Sequence, residues 1–147
     1  MLGFIVRIVC LVGIDIISKM VLNGVNEVVI NNFFYITYVK NTGAAFSMFA
    51  NNTGMVLGIS LVIVFLLICY VVKNRKISGI LGYGYAMILG GSLGNLFDRI
   101  VYGYVRDFLD FRIFGFNMAI FNLADVFIVF GVGLLVIDAW RCRDVRD

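Results

Sequence analysis

Residues 118–137 read MAIFNLADVFIVFGVGLLVI, an apolar run long enough to cross a bilayer core, which takes about 20 helical residues. Asp125 is the one ionisable residue in the run, and the chain contains no histidine. A carboxylate at membrane depth is expensive to keep and marks a functional site by default. Without histidine, the usual catalytic triads and His-ligated metals are unavailable. Counting the helix from Met118, Asp125 stands about 10 Å inside it at roughly 1.5 Å per residue. The chemistry therefore calls for a second carboxylate.

Three further runs have the same character, at about 4–22, 55–72 and 77–96, and the last two carry no charge. With 147 residues, 62% hydrophobic and 14% charged, the chain is too apolar for an ordinary soluble domain. Membrane barrels alternate in polarity over short segments, and these runs do not. The expectation is a single integral membrane domain over 1–147, an all-α membrane protein of four transmembrane helices. Outer loops at about 23–54 and 97–117 complete it. The first run holds Asp15 and Lys19 and is followed by no small-residue cleavage site, so it reads as a retained span rather than a cleaved leader.

Basic residues orient the chain. Lys73, Arg75 and Lys76 fill the link between the second and third runs, and Arg141, Arg143 and Arg146 fill the tail. The positive-inside rule puts both in the cytoplasm. An even number of spans adds Arg7 on that side, against Lys40, Arg99, Arg106 and Arg112 outside. Both termini are then cytoplasmic. Cys10, Cys69 and Cys142 have no metal-ligand spacing and read as packing residues. The net charge of +3 fits inner anchoring residues and gives no sign of a nucleic-acid partner.

On this layout the intramembrane polar residues gather in the outer half. Asp15 and Lys19 lie four apart on one helix face, where they can pair. Asn95, Asp98 and Arg99 close the third run, and Asn122 and Asp125 lie three apart in the fourth. Helix-packing hydrogen bonds and snorkelling account for the first two groups as readily as catalysis does. Asp125 has no basic partner in its own run.

The outer loops are unlike spacers. Val28 to Val39 is rich in β-branched and aromatic residues and reads as two short strands joined at Asn31 and Asn32. Asn41-Thr42-Gly43 reads as a turn, and Ala44 to Phe49 as a short interfacial helix. Together they form a small β-containing extracytoplasmic platform, although an aromatic interface belt would have similar composition. The second loop supplies Asp107 and Asp110, either of which could be the second carboxylate. Gly90 and Gly94 have the small-xxx-small spacing of close helix contacts.

Four motifs in order, NTGAAFSMF at 41–49, GGSLGNLFDRI at 90–100, GYVRDF at 103–108 and FNLAD at 121–125, resemble those of the lipoprotein signal peptidases, or signal peptidase II. The resemblance covers almost the whole chain. It implies a bacterial inner-membrane aspartyl endopeptidase that acts on diacylglyceryl-modified prolipoproteins, cutting on the amino side of the lipidated cysteine. It also implies a catalytic pair of Asp107 and Asp125. Asp15, Lys19, Asn41, Asn95, Asp98, Arg99, Asn122 and Ala124 match positions that shape or support the family's site, and the Gly43 backbone is expected near the bound peptide. Asp110 matches no catalytic position. The substrate and membrane lipid are the expected partners of a monomer that needs no cofactor or metal.

Two carboxylates sharing a proton can polarise a water, protonate a carbonyl oxygen and protonate a leaving amine. Like charges at close range cannot both ionise cheaply, so such a pair titrates as a unit. The rival function is a small proton- or ion-coupled transporter, since intramembrane Asp and Lys also serve as ion relays. A carrier would hold them near the midplane, whereas the inner halves of the last three runs have no ionisable group. A Ser-Lys protease using Ser47 or Ser18 with Lys40 or Lys19 is a weaker rival: Ser18 and Lys19 are neighbours on different helix faces.

Overall fold

The computed structural model describes residues 2–43, 52–74 and 79–144. The expected interfacial helix at Ala44 to Phe49, with Ser47, lies outside the described residues, as do Arg75, Lys76 and Arg146 and the side chains of Cys142 and Arg143.

Four helices, α1 (Leu2–Val21), α2 (Thr53–Lys73), α3 (Gly79–Tyr102) and α4 (Leu123–Asp144), accompany strands β1 (Asn26–Ile30), β2 (Phe34–Asn41), β3 (Val105–Ile113) and β4 (Phe116–Asn117). α3 is the central helix and packs against the other three. Its glycines permit this on two faces. A Cβ on Gly90 or Gly94 would run into Leu11 or Asp15 of α1, and one on Gly84 or Gly91 would run into Leu135 or the Ala124 carbonyl of α4. Close backbone approach is the use of small residues between membrane helices.

Away from these contacts the helices present apolar side chains outward, among them Val9 and Ile17 on α1, Phe65 and Leu66 on α2, and Val129 and Phe130 on α4. Cys10 and Cys69 share this exposed surface rather than packing inside, because helix rotation turns them away from α3. α2, α3 and the Leu123–Arg141 part of α4 are long and apolar enough to cross a membrane. α1 is 20 residues long and carries Arg7, Asp15 and Lys19, the last two fully buried.

The four strands form one antiparallel sheet in the order β1-β2-β3-β4. The β1–β2 turn falls at Asn31 and Asn32, with Asn32 at φ 59°, a conformation asparagine tolerates better than most residues. Tyr35 Oη accepts the Asn32 N–H at 2.9 Å and fixes the turn.

Two boundaries differ from the sequence expectation. α3 continues to Tyr102 and β3 occupies most of the expected loop 97–117, so the β element draws on both outer loops. α4 begins at Leu123, not near Met118. Phe121 instead bridges Leu109 of β3, donating to its carbonyl at 3.1 Å and accepting its N–H at 2.8 Å. A short apolar stretch fits strand or helix equally well, and the pairing offered by β3 decides it. Asp125 therefore stands in the first turn of α4, not about 10 Å within it.

Candidate active site

Asp15 and Lys19 pair at 2.7 Å on α1, both without solvent exposure. Lys19 Nζ lies 3.6 Å from Asp98 Oδ2 on α3. Asp98 in turn accepts from Arg106 three times: from the backbone N–H at 3.0 Å, from Nε at 3.2 Å and from Nη2 at 2.7 Å. Two acids and two bases thus close a neutral buried cluster, the condition under which buried charge is tolerable. Arg106, which the sequence marks only as one of the basic residues outside, closes this cluster with Asp98 in place of the adjacent Arg99. Its signal emerges only when β3 folds back over α3.

The buried cluster also holds the start of α4. Asp15 Oδ1 accepts the Ala124 N–H at 3.0 Å, capping one helix from another. Asn122 caps from within: its Oδ1 accepts the Asp125 N–H at 3.1 Å, while its own N–H donates to Asp125 Oδ2 at 3.2 Å. This reciprocal arrangement is a capping box made from Asn and Asp, and it satisfies N–H groups that a helix start otherwise leaves bare.

Asn95 links the buried ions to Asp125. Its Oδ1 accepts from Lys19 Nζ at 2.9 Å and from Asn122 Nδ2 at 3.1 Å, which leaves Nδ2 to donate to Asp125 Oδ1 at 2.8 Å. The ammonium can only donate, so it sets which way the Asn95 amide faces.

Asp107 arrives from β3. Asn122 Nδ2 donates to its Oδ1 at 2.6 Å, and Asn41 Nδ2 of β2 donates to its Oδ2 at 2.9 Å. Asp107 is 2% exposed. Burial pushes it up from an ordinary 3.8 to about 6; the Asn41 hydrogen bond opposes this, the Asp125 charge adds to it, and the Asn122 bond and Lys19 charge oppose it. Asp107 and Asp125 are thus attached to the same asparagine, and each of their four oxygens accepts an amide hydrogen.

Asn41 Oδ1 also accepts the Gly43 N–H at 2.9 Å, and the Gly43 carbonyl accepts from Arg99 Nη2 at 3.2 Å. Arg99 also donates to the Asn95 carbonyl at 3.3 Å and lies within electrostatic reach of Asp125, Asp107 and Asp98. Every residue that the motif resemblance assigns to the site therefore joins one network. Asp110 does not. Three positions along β3 turn it to the opposite face, where it accepts from Thr37 Oγ1 at 3.0 Å and lies 3.5 Å from Arg112 Nη2.

The fold is that of bacterial membrane enzymes. Two such structures determined by the in meso method superpose on it, one with a TM-score of 0.88 and 28% identity, covering 99% of this chain and 92% of that one. The other has a TM-score of 0.81 and 30% identity, covering 93% and 92%. Residues 7–141 match the family described as Signal peptidase (SPase) II. The lipoprotein signal peptidase of Clostridioides difficile is 41% identical over 140 residues, which are 91% of this chain and 92% of that protein. That of Halothermothrix orenii is 41% identical over 119 residues, 81% and 79% of the two chains. That of Caldanaerobacter subterraneus is 48% identical over 107 residues, 73% and 71%. The chain belongs to the signal peptidase II family, and so to the membrane peptidases rather than to the carriers.

Proposed function

We propose that this chain removes the signal peptide from diacylglyceryl-modified prolipoproteins, cutting on the amino side of the lipidated cysteine with Asp107 and Asp125 as its catalytic pair. The observation that carries this is the Asn122 bridge: one side chain and its backbone N–H hold both carboxyl groups. All four helices span the bacterial cytoplasmic membrane, α1 through internal neutralisation of Asp15 by Lys19. Both termini lie in the cytoplasm, the site faces outward, and the chain works as a monomer without a metal.

The two acids divide the work by environment. Asp107 is buried and its carboxyl is pushed up to about 6, which favours its neutral form, and it is assigned the proton that goes to the carbonyl oxygen. Asp125 sits in the first turn of α4, where the Asn122 N–H and Asn95 Nδ2 donate to its two oxygens, and it is assigned the role of base. Water attacks the scissile carbonyl carbon and gives a proton to Asp125, while Asp107 gives its proton to the carbonyl oxygen. The resulting diol collapses as the C–N bond breaks. The leaving nitrogen takes the proton from Asp125, and Asp107 recovers one from the diol hydroxyl. The products are a signal peptide with a free carboxylate and a lipidated cysteine with a free amine, with both acids restored.

Purified protein in detergent, incubated with a diacylglyceryl-modified precursor, tests the proposal. The expected result is cleavage that a chelator does not inhibit and that the unlipidated precursor does not match. Equal cleavage of the unlipidated precursor overturns the substrate assignment, and loss of cleavage with chelator overturns the mechanism.

A further inference from the structure

At the end of the sheet away from Asn41 and Val105, the β1–β2 and β3–β4 turns lie side by side, since the Phe33 carbonyl accepts the Arg112 N–H at 2.9 Å. Their surface is apolar. Phe114 is 97% exposed and Phe116 78%, and Val28, Val29, Ile30 and Phe33 are exposed beside them. Behind this tip, Phe34, Phe111 and Phe121 stack on one another and make a rigid backing. Phe114 and Phe116 take no part in those ring contacts.

The turn itself is unusual. Phe114 and Gly115 both have positive φ, 51° and 81°, between the paired residues Ile113 and Phe116. A two-residue turn of that kind favours Asn or Asp before Gly, and a bulky aromatic is disfavoured there. The chain therefore places a large apolar ring in a conformation that suits it poorly and leaves it almost fully exposed among the described residues. At the base of the tip stands Arg112, its guanidinium 4.0 Å over the Tyr35 ring. Its contact with Asp110 is long, at 3.5 Å, and Nε, shielded from solvent, has no hydrogen-bond partner among the described residues.

Aromatic rings beyond a half-exposed arginine match a bilayer interface, with rings at acyl depth and guanidinium at the phosphates. Continuity favours lipid over a protein partner. From Phe116 the chain needs only seven residues to reach Leu123, where a membrane-crossing helix begins. We propose that the β3–β4 turn inserts Phe114 and Phe116 into the outer leaflet, with Arg112 engaging lipid phosphate. The sheet is then held at the membrane at its tip as well as through the helices. β3 carries both the anchored turn and Asp107, so the anchor sets the height of that carboxyl above the lipid. This rests on the helices spanning a bilayer and is independent of which residues cleave peptide.

Fluorescence tests it. Trp140, the one tryptophan, is replaced by Phe, and Phe114→Trp or Phe116→Trp is introduced singly. Each protein is reconstituted in vesicles of phosphatidylcholine with or without phosphatidylglycerol. The expected result for both probes is blue-shifted emission, quenched at least twofold by brominated lipid and little by aqueous acrylamide, with deeper quenching when phosphatidylglycerol is present. Arg112→Gln should remove that lipid dependence. Water-like emission open to acrylamide overturns the proposal. A blue shift that disappears as lipid is added in excess also overturns it, by placing a second copy of the chain on the tip.

Discussion

Asn122 and Asp125 cap each other at the start of α4, each backbone N–H donating to the other's side chain at 3.1 and 3.2 Å. The Asp125 carboxylate is therefore oriented by the same turn that begins the helix. Asn122 has an amide hydrogen left for Asp107, which makes helix initiation and alignment of the two acids one structural event.

Asn122 should accordingly separate folding from catalysis. Asn122→Ala loses the cap, at about 1 kcal/mol, and both amide bonds. Asn122→Ser keeps a good cap but is too short for Asp107. Thermal unfolding should show Asn122→Ser closer to the parent than Asn122→Ala, while cleavage falls at least about tenfold in both, as loss of one such hydrogen bond predicts. Parental activity in Asn122→Ser would show that the bridge to Asp107 is dispensable.

Replacing either acid should stop the reaction without unfolding the protein. Loss of a positioned acid or base typically removes about 10²–10⁴-fold, so Asp107→Asn and Asp125→Asn should each fall by at least the lower figure. Asp110→Asn lies on the other face of β3 and should retain cleavage within a few-fold. Similar losses at Asp107 and Asp110 would undo the choice between them.

The Asp107 carboxyl, raised from 3.8 to about 6 by burial, carries a signed pH dependence. The fold favours its neutral form. Its contribution to stability is whole below 3.8, declines as pH rises, and is lost through about 6. Cleavage that needs this proton should fall as pH rises through the same region. Asp107→Asn stays neutral, so melting in detergent should show it gaining on the parent between pH 4.5 and 7.5, by about 2 kcal/mol. A constant difference across that range would contradict the assignment.

The buried ions should be strongly coupled. Lys19→Met leaves Asp15 without its counter-ion and Asn95 without the donor that sets its amide, and should cost about 3–5 kcal/mol. Adding Asp15→Asn should recover part of that loss, so the double variant should be more stable than the two single effects summed. Simple additivity in unfolding measurements would mean that the pair contributes nothing jointly.

Glycine positions offer a packing control. Gly91→Ala drives a methyl into the Ala124 carbonyl and should destabilise by about 1–3 kcal/mol while displacing the first turn of α4. Gly13→Ala meets nothing within 4 Å and should be neutral or stabilising by up to about 1 kcal/mol. Equal melting temperatures for the two would mean that α3 and α4 do not need their close approach.

Uninterrupted apolar length located the helices from sequence, because hydrocarbon demands a helix of a certain span whatever its neighbours. The Asp15 and Lys19 pair was legible for a similar local reason, since four residues return a helix to the same face. Boundaries were less secure where a neighbour chose the conformation. Met118 to Phe121 is as apolar as the helix it precedes, but hydrogen bonds from Met118 and Phe121 to β3 keep it out of that helix.

For the site, sequence alone established the ingredients: no histidine, a costly acid at Asp125, two further acids at Asp107 and Asp110, and asparagines at 41, 95 and 122. The ordered motifs supplied the choice between the two acids as an expectation. Tertiary structure decided how these residues meet. It put Asp107 and Asp110 on opposite faces of β3, gave Asp98 to Arg106 instead of Arg99, and attached Asp107 and Asp125 to one asparagine. Local spacing reports which residues share a face of one element. Contacts between α1, α3, α4 and β3 depend on how those faces are brought together in space.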